Sequence, residues 1–113
     1  MENKIHLTPF FLRKAKRLLK KYVTLRQSLQ QLEQSLIANP YLGDSYGSGI
    51  YKVRLADVSK GKVKSGGFRV ITYVIEETPT SVDIYLVTIF DKSEEASISK
   101  QDIKEIIDLS GLS

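Results

Sequence analysis

The sequence contains no cysteine and a single histidine, His6. Without cysteine the chain has neither disulfides nor thiolate chemistry, and this composition suits a reducing compartment. One histidine cannot supply a paired-histidine ribonuclease mechanism or a histidine-based metal site, so we expect His6 to be structural. No residue spacing matches a zinc, Walker or dinucleotide-binding pattern. We therefore expect a protein that uses no metal and no small-molecule cofactor.

Long apolar segments are also missing. None approaches the length that spans a membrane, and the N-terminal sequence MENKIHLTPFF lacks the apolar core of a signal peptide. With 113 residues the chain is long enough for one modest hydrophobic core. We expect a single domain over residues 1–113, located in the cytoplasm and without a membrane partner.

Acidic residues are scarce in two segments where positive charge is concentrated. Residues 10–32 carry seven Lys or Arg and no acid, and residues 52–69 carry six Lys or Arg against Asp57 alone. From residue 70 onward the balance reverses, with nine acids against three lysines. Segregated cations in a chain of net charge +4 are typical of a protein with a polyanionic partner.

Hydrophobic periodicity predicts two helices in the first part of the chain. A short edge strand at residues 4–7 precedes Thr8-Pro9, which is a helix-start signal. A second amphipathic helix is expected over residues 25–38 and ends before Asn39-Pro40. Residues 39–49 are predicted to be a turn-rich loop. Tyr41 and Tyr46 in this loop either stack on nucleic-acid bases or pack on the edge of the domain.

Three strands and a helix are predicted to follow. The segment 50–75 forms an antiparallel hairpin, 76–81 a turn, and 82–90 a well-covered strand. Ser99 is the expected cap of a short C-terminal helix. The order β-α-α-β-β-β-α predicts an α+β fold, with an N-terminal antiparallel helical hairpin packed on a small antiparallel sheet.

The segment 50–75, IYKVRLADVSKGKVKSGGFRVITYVI, carries the candidate site. Alternation places Lys52 and Arg54 on one face of its first strand, and Arg69 shares a face with Tyr73 in its second. Pairing of the two strands would collect three cations on one face, which indicates an anion site for a nucleic-acid backbone. The alternative is that strand cations protect an exposed sheet face from aggregation. The connector between the strands adds Lys60, Lys62 and Lys64.

Lysine and arginine can together supply the chemistry of RNA cleavage. The 2′-hydroxyl must lose a proton, the phosphorane charge must be stabilised, and the leaving 5′-oxygen must gain a proton. A lysine serves as the base when neighbouring cations lower its pKa, and arginines clamp phosphate. The cluster of Lys52, Arg54 and Arg69 has the composition that this mechanism needs.

Three segments together resemble the RelE/ParE superfamily of type II toxins: YKVRLAD (51–57), KSGGFRVITYV (64–74) and VTIFDKSE (87–94). The form KSGGFRVI is most similar to the HigB-type branch, and the helical hairpin ending in Asn-Pro is similar too. The resemblance implies a RelE-like fold and a metal-independent mRNA interferase that cleaves messages in the ribosomal A site. It also implies neutralisation by a cognate antitoxin, usually a helix-turn-helix protein for the HigB type.

The resemblance implies roles for four cations. Lys52 is the general-base candidate, and Arg54 holds phosphate or shares the base role. Arg69 stabilises the transition-state charge. Lys92, just after the last strand, assists leaving-group protonation or charge stabilisation. Binding of ribosomal or messenger RNA phosphates is expected of Lys60, Lys62 and Lys64.

The chain departs from RelE at one functional position. RelE carries a tyrosine beyond the cation that follows the last strand, and here that region holds Ile98 and flanking serines. Tyr73 is the candidate substitute, with packing in the sheet as its alternative role. Two other functions fit the resemblance: a ParE-like toxin that inhibits DNA gyrase without cutting RNA, and a domain that only binds its antitoxin.

Overall fold

The computed structural model describes residues 2–56, 67–92 and 98–112. These ranges contain three helices and five strands: β1 (Glu2–Leu7), α1 (Pro9–Lys21), α2 (Leu25–Ala38), β2 (Asp44–Gly47), β3 (Ile50–Leu55), β4 (Phe68–Thr78), β5 (Ser81–Asp91) and α3 (Lys100–Leu109). The predicted α+β class, with its N-terminal pair of helices and short C-terminal helix, is confirmed. Within these ranges, no helix has the length and apolar content needed to cross a membrane.

The predicted start of α1 at Thr8 and Pro9 is confirmed, and it also fixes the helix to the sheet. The Thr8 hydroxyl accepts a hydrogen bond from the Phe11 backbone N–H at 3.0 Å. The same hydroxyl lies within donating distance of the carbonyls of Leu86 (3.1 Å) and Val87 (2.9 Å) in β5. One short polar side chain therefore caps the helix and joins it to a central strand.

The five strands form one sheet in the order β1-β5-β4-β3-β2. The predicted hairpin of β3 and β4 is present, and β4 pairs with β5 in the same antiparallel sense. The predicted edge strand β1 pairs parallel to β5, so the sheet is antiparallel except at this edge. Two parallel strands need a long crossover connection, and the chain from α1 to β4 provides it between β1 and β5.

Two predicted connections contain regular structure. The segment 39–49 is not entirely a loop, because β2 occupies Asp44–Gly47 and pairs with β3. The turn predicted at residues 76–81 is shorter, because β4 continues to Thr78 and β5 begins at Ser81. Polar residues, together with glycine in the first segment and proline in the second, obscure strands that are held by pairing with their neighbours rather than by burial.

The core divides into two clusters, one on each face of the sheet. The pair α1 and α2 covers one face, where Leu18, Leu36 and Phe68 are fully buried. On the opposite face, Ile103 and Ile107 of α3 pack against apolar residues of β3, β4 and β5. Of the described helices, the ten-residue α3 supplies most of the cover on this second face, with Phe10 at the start of α1 beside it, so part of that face is left for polar side chains.

Candidate anion-binding site on the sheet

The three predicted strand cations share the face of the sheet that carries α3. The register of β3 and β4 places Arg54 opposite Arg69 and Lys52 opposite Ile71. Opposite Cα atoms in an antiparallel pair lie about 4.5–5.5 Å apart, and residues two apart along a strand lie about 7 Å apart. Lys52, Arg54 and Arg69 therefore form one compact group, and we call this side of the sheet the cationic face.

The two arginines differ sharply in exposure. Arg69 is only 6% exposed, whereas Arg54 is exposed and Lys52 is half-buried. Arg69 donates a hydrogen bond from Nη1 to the carbonyl of Phe68 at 3.2 Å. Within residues 2–56, 67–92 and 98–112, no carboxylate forms an ion pair with any of the three cations. Like charges directly opposite each other in a sheet are destabilising, and a bound anion would relieve that repulsion.

Two glycines hold the backbone around β3. Gly43 has φ +101° and Gly67 has φ +91°, a region that residues with a Cβ rarely adopt. A Cβ on Gly43 would overlap the Lys52 carbonyl oxygen, and a Cβ on Gly67 would lie 2.8 Å from the Leu55 carbonyl oxygen. The strand that carries Lys52 and Arg54 is thus fixed by close backbone approach at its middle, by Gly43, and at its last residue, by Gly67.

Room for a ligand lies beside the group. A depression of about 480 Å³ runs along β2 and β3, and Asp44, Lys52 and Arg54 are among the residues that line it. The acidic residue at its edge, Asp44, stands opposite Lys52 in the β2–β3 register. An extended phosphodiester chain has space to approach both cations from this side.

Tyr46 is an aromatic contact of the site that sequence reasoning did not assign to it. Its ring centroid lies 5.5 Å from Nζ of Lys52, within the range of a cation–π interaction. The ring also packs against the apolar cluster under α3. The sequence did not decide between base stacking and edge packing for Tyr46. Its contact with Lys52 could not be predicted, because that contact depends on the pairing of β2 with β3.

Lys100 is a second residue near the site that the sequence did not predict there. In the sequence it counted only toward the charge balance. It begins α3, and its Nζ lies 3.5 Å from where a Cβ on Gly47 would stand. The amino group is therefore placed beside the last residue of β2, Gly47. No sequence signal indicates this, because Lys100 lies 53 residues after Gly47 in the chain and reaches it through the packing of α3.

Lys92 lies at the Arg69 end of the sheet. Its backbone N–H donates to the Gly67 carbonyl at 3.1 Å, and Phe90, two residues earlier, pairs with Arg69. The side chain is half-buried. The structure thus brings Lys92 near the arginines, whereas the predicted RNA-binding residues Lys60, Lys62 and Lys64 lie outside the described residues.

Tyr73 occupies the cationic face but stands away from Arg69. It pairs with Ile50 and is four residues from Arg69 along β4, which is about 13 Å in a strand. The ring is half-buried and packs against the α3 cluster, as does Ile98. Packing is therefore the contact that the structure gives Tyr73.

His6 has the contacts of a structural residue. Its Nε2 lies 2.9 Å from Oδ1 of Asp83, and its ring stacks on Tyr85 with centroids 4.7 Å apart. The hydrogen bond with His6 is the main reason that the pKa of Asp83 is lowered. The pKa of Glu77 is raised, chiefly by its hydrogen bond to Asp83. In the part of the chain that the structure describes, no three His, Asp or Glu residues are grouped to hold a metal ion.

A family model described as the RelE toxin of the RelE/RelB toxin–antitoxin system matches residues 3–112. The match runs from β1 to the residues after α3 and includes all the strands that form the cationic face. It covers nearly the whole chain of 113 residues. The chain belongs to the RelE toxin family of toxin–antitoxin systems.

Proposed function

We propose that this toxin is a ribosome-dependent mRNA endoribonuclease of the HigB-like branch. The observation that carries the proposal is the pair Arg54 and Arg69, which stand opposite each other and have no carboxylate partner among the described residues. One of the two is almost fully buried, at 6% exposure. Such an arrangement costs stability without an anion and binds one strongly, as a phosphate clamp requires.

The cationic face supports a metal-independent cleavage. Lys52 takes the proton of a 2′-hydroxyl, and the freed oxygen attacks the adjacent phosphorus. Arg54 and Arg69 hold the phosphate and stabilise the charge that develops on its oxygens. The bond from phosphorus to the 5′-oxygen then breaks, and Lys92 donates a proton to that oxygen. The products are a 2′,3′-cyclic phosphate and a 5′-hydroxyl.

The departure from RelE supports the HigB-like assignment. Ile98 packs against the apolar cluster of α3, so an aliphatic contact occupies the region where RelE carries a tyrosine. Tyr73 is also packed there, about 13 Å from Arg69 along its strand. The proposed site therefore relies on cations rather than on a tyrosine that follows the last strand.

We propose that the cognate antitoxin is a helix-turn-helix protein, as the HigB-like assignment implies. Two surfaces are suited to neutralisation. One is the cationic face, which acidic residues of a partner would match in charge. The other is the groove of the helical hairpin, where Leu7 is 40% exposed and Leu12 is 50% exposed.

The decisive experiment is primer extension on a reporter mRNA in a reconstituted translation reaction. We expect in-frame cuts from the wild type and at least about 100-fold slower cleavage from Arg69→Ala, since the main charge-stabilising donor is lost. Because Arg69 is buried, Arg54→Ala is made in parallel at an exposed position. Thermal melting checks that both variants fold.

Lys20→Ala is the matched control. Lys20 is an exposed cation of α1, and α1 packs on the opposite face of the sheet. This variant should cut like the wild type. Full cleavage by folded Arg69→Ala and Arg54→Ala would overturn the assigned roles. No cleavage by the wild type, together with a DNA-damage response on expression, would instead favour inhibition of DNA gyrase.

A further inference from the structure

The short edge strand β2 contains an irregularity directly beside Lys52. Asp44 and Ser45 pair in register with Lys52 and Tyr51, but the register shifts before Gly47, which pairs with Ile50. Tyr46 is the residue left at the shift. An extra residue of this kind bends a strand and redirects a side chain, and such irregularities are common next to functional sites.

The ring of Tyr46 is held in place by apolar packing. It packs against the cluster that α3 covers, while Lys100 of α3 brings its amino group close to the backbone of the next residue, Gly47. The ring is therefore part of the folded core edge, with Lys52 Nζ 5.5 Å from its centroid. A fixed aromatic surface of this kind restricts a flexible lysine side chain.

Lys52 has another partner within reach of its backbone position. Asp44 stands directly opposite it in the antiparallel register, where a lysine and an aspartate ordinarily form an ion pair. In the described structure Lys52 forms no ion pair with Asp44, and its amino group lies over Tyr46. A carboxylate and an aromatic ring both favour the protonated nitrogen, but the carboxylate does so more strongly and also occupies its hydrogen-bonding directions, whereas the ring leaves those directions free for a hydroxyl group.

We propose that Tyr46 is a positioning residue for Lys52. Its ring holds the Lys52 nitrogen on the cationic face and out of an ion pair with Asp44, so that the nitrogen is available to a 2′-hydroxyl of RNA. This inference rests on the proposed function of Lys52 as the base. The side chain acts through its ring, and the hydroxyl group of Tyr46 is not required.

The first test measures the contact and does not depend on activity. Ring currents should displace the ε-methylene resonance of Lys52 in ¹H–¹³C NMR spectra of the wild type. Tyr46→Phe should keep this displacement, whereas Tyr46→Leu and Tyr46→Met should abolish it. Tyr41→Leu is the control, because Tyr41 packs beside Tyr51, a neighbour of Lys52 on the other face of β3.

The second test measures cleavage in the reconstituted translation reaction. Tyr46→Leu and Tyr46→Met should lower kcat about tenfold with little change in KM, because substrate still binds but the base is poorly placed. Tyr46→Phe should restore the wild-type rate, and Tyr41→Leu should not change it. Two variants without a ring are made, so that the test stands even when only one of them folds. Thermal melting shows which of them is folded.

The outcomes separate the two proposals. A wild type that cleaves and a folded Tyr46→Met that cleaves equally fast would overturn the positioning role alone. Tyr46→Phe that is as slow as Tyr46→Met would also overturn it, since the hydroxyl group would then matter. If the wild type does not cleave, the nuclease proposal fails, and the NMR displacement alone decides whether Tyr46 positions Lys52.

Discussion

Arg54 and Arg69 occupy facing positions on adjacent strands, where like charges raise the free energy of the folded sheet. Neither arginine forms an ion pair with a described carboxylate. By contrast, Asp83 is only 16% exposed at its side chain and does have a side-chain partner, because its Oδ1 lies 2.9 Å from Nε2 of His6. The chain thus gives a partner to the carboxylate in β5 and none among the described carboxylates to the arginines of the proposed site.

The pair of His6 and Asp83 gives a residue-scale prediction. The pKa of Asp83 is lowered first by the hydrogen bond with His6, and the charge of Lys4 is its smallest cause. His6→Ala should therefore raise the pKa of Asp83 toward its usual value near ~4, and Lys4→Ala should raise it less. The pKa is read from the carboxyl ¹³C resonance during an acid titration.

The free energy of unfolding should depend on pH through the ionisation of Asp83. A lowered pKa means that ionised Asp83 stabilises the folded state above its unfolded pKa, and that this contribution disappears as pH falls through the folded pKa. The stability difference between the wild type and His6→Ala should shrink as pH falls below about 4. A larger pKa change in Lys4→Ala than in His6→Ala would show that the hydrogen bond is not the main cause.

Helices and strands differ in how much of them could be predicted from the sequence. The starts of α1 and α3 were predicted correctly because their caps, Thr8 and Ser99, lie within three residues of the groups that they bind. The strand β2 was missed because its pairing with β3 depends on the close approach of Gly43 to the backbone at Lys52. The candidate site shows the same contrast between local and distant signals. Alternation along β3 and β4 predicted that the three cations share a face, whereas Tyr46 and Lys100 reach the site through the pairing of β2 and the packing of α3.

The two caps give an element-scale prediction. Thr8→Ala removes the bond to Phe11 and the buried contacts with two carbonyls of β5, so it should lower the free energy of unfolding by about 2 kcal/mol. Ser99→Ala removes one exposed cap bond to Asp102 and should cost only about 1 kcal/mol. Urea denaturation measures both. Equal losses would mean that the link between α1 and β5 adds nothing.

Positive charge lies on both sides of the sheet, but in two different forms. The helical hairpin covers one face and carries exposed cations of α1, such as Lys16 and Lys20. The opposite face combines the α3 cluster with Lys52, Arg54 and Arg69. The net charge of +4 alone therefore does not identify the binding face, and the facing arginines are what distinguish the cationic face.

Salt dependence tests this arrangement. Binding of a single-stranded oligoribonucleotide should weaken as salt rises, because each neutralised phosphate releases counterions. Arg54→Ala should reduce the slope of log K against log salt by about 0.7, the value for one phosphate contact. Fluorescence anisotropy at several salt concentrations measures the slope. Lys20→Ala should keep the wild-type slope, and an equal reduction in both variants would contradict a localised cationic face.

The parallel pairing of β1 with β5 has a consequence for the synthesis of this toxin. The first strand has its partner 79 residues later, since Glu2 pairs with Ser81, and β5 also pairs with β4 through Arg69 and Phe90. A sheet closed by such distant partners forms slowly and late. Lys52, Arg54 and Arg69 therefore reach their final arrangement only after β5 has been synthesised, which makes the cationic face one of the last features of the fold to form.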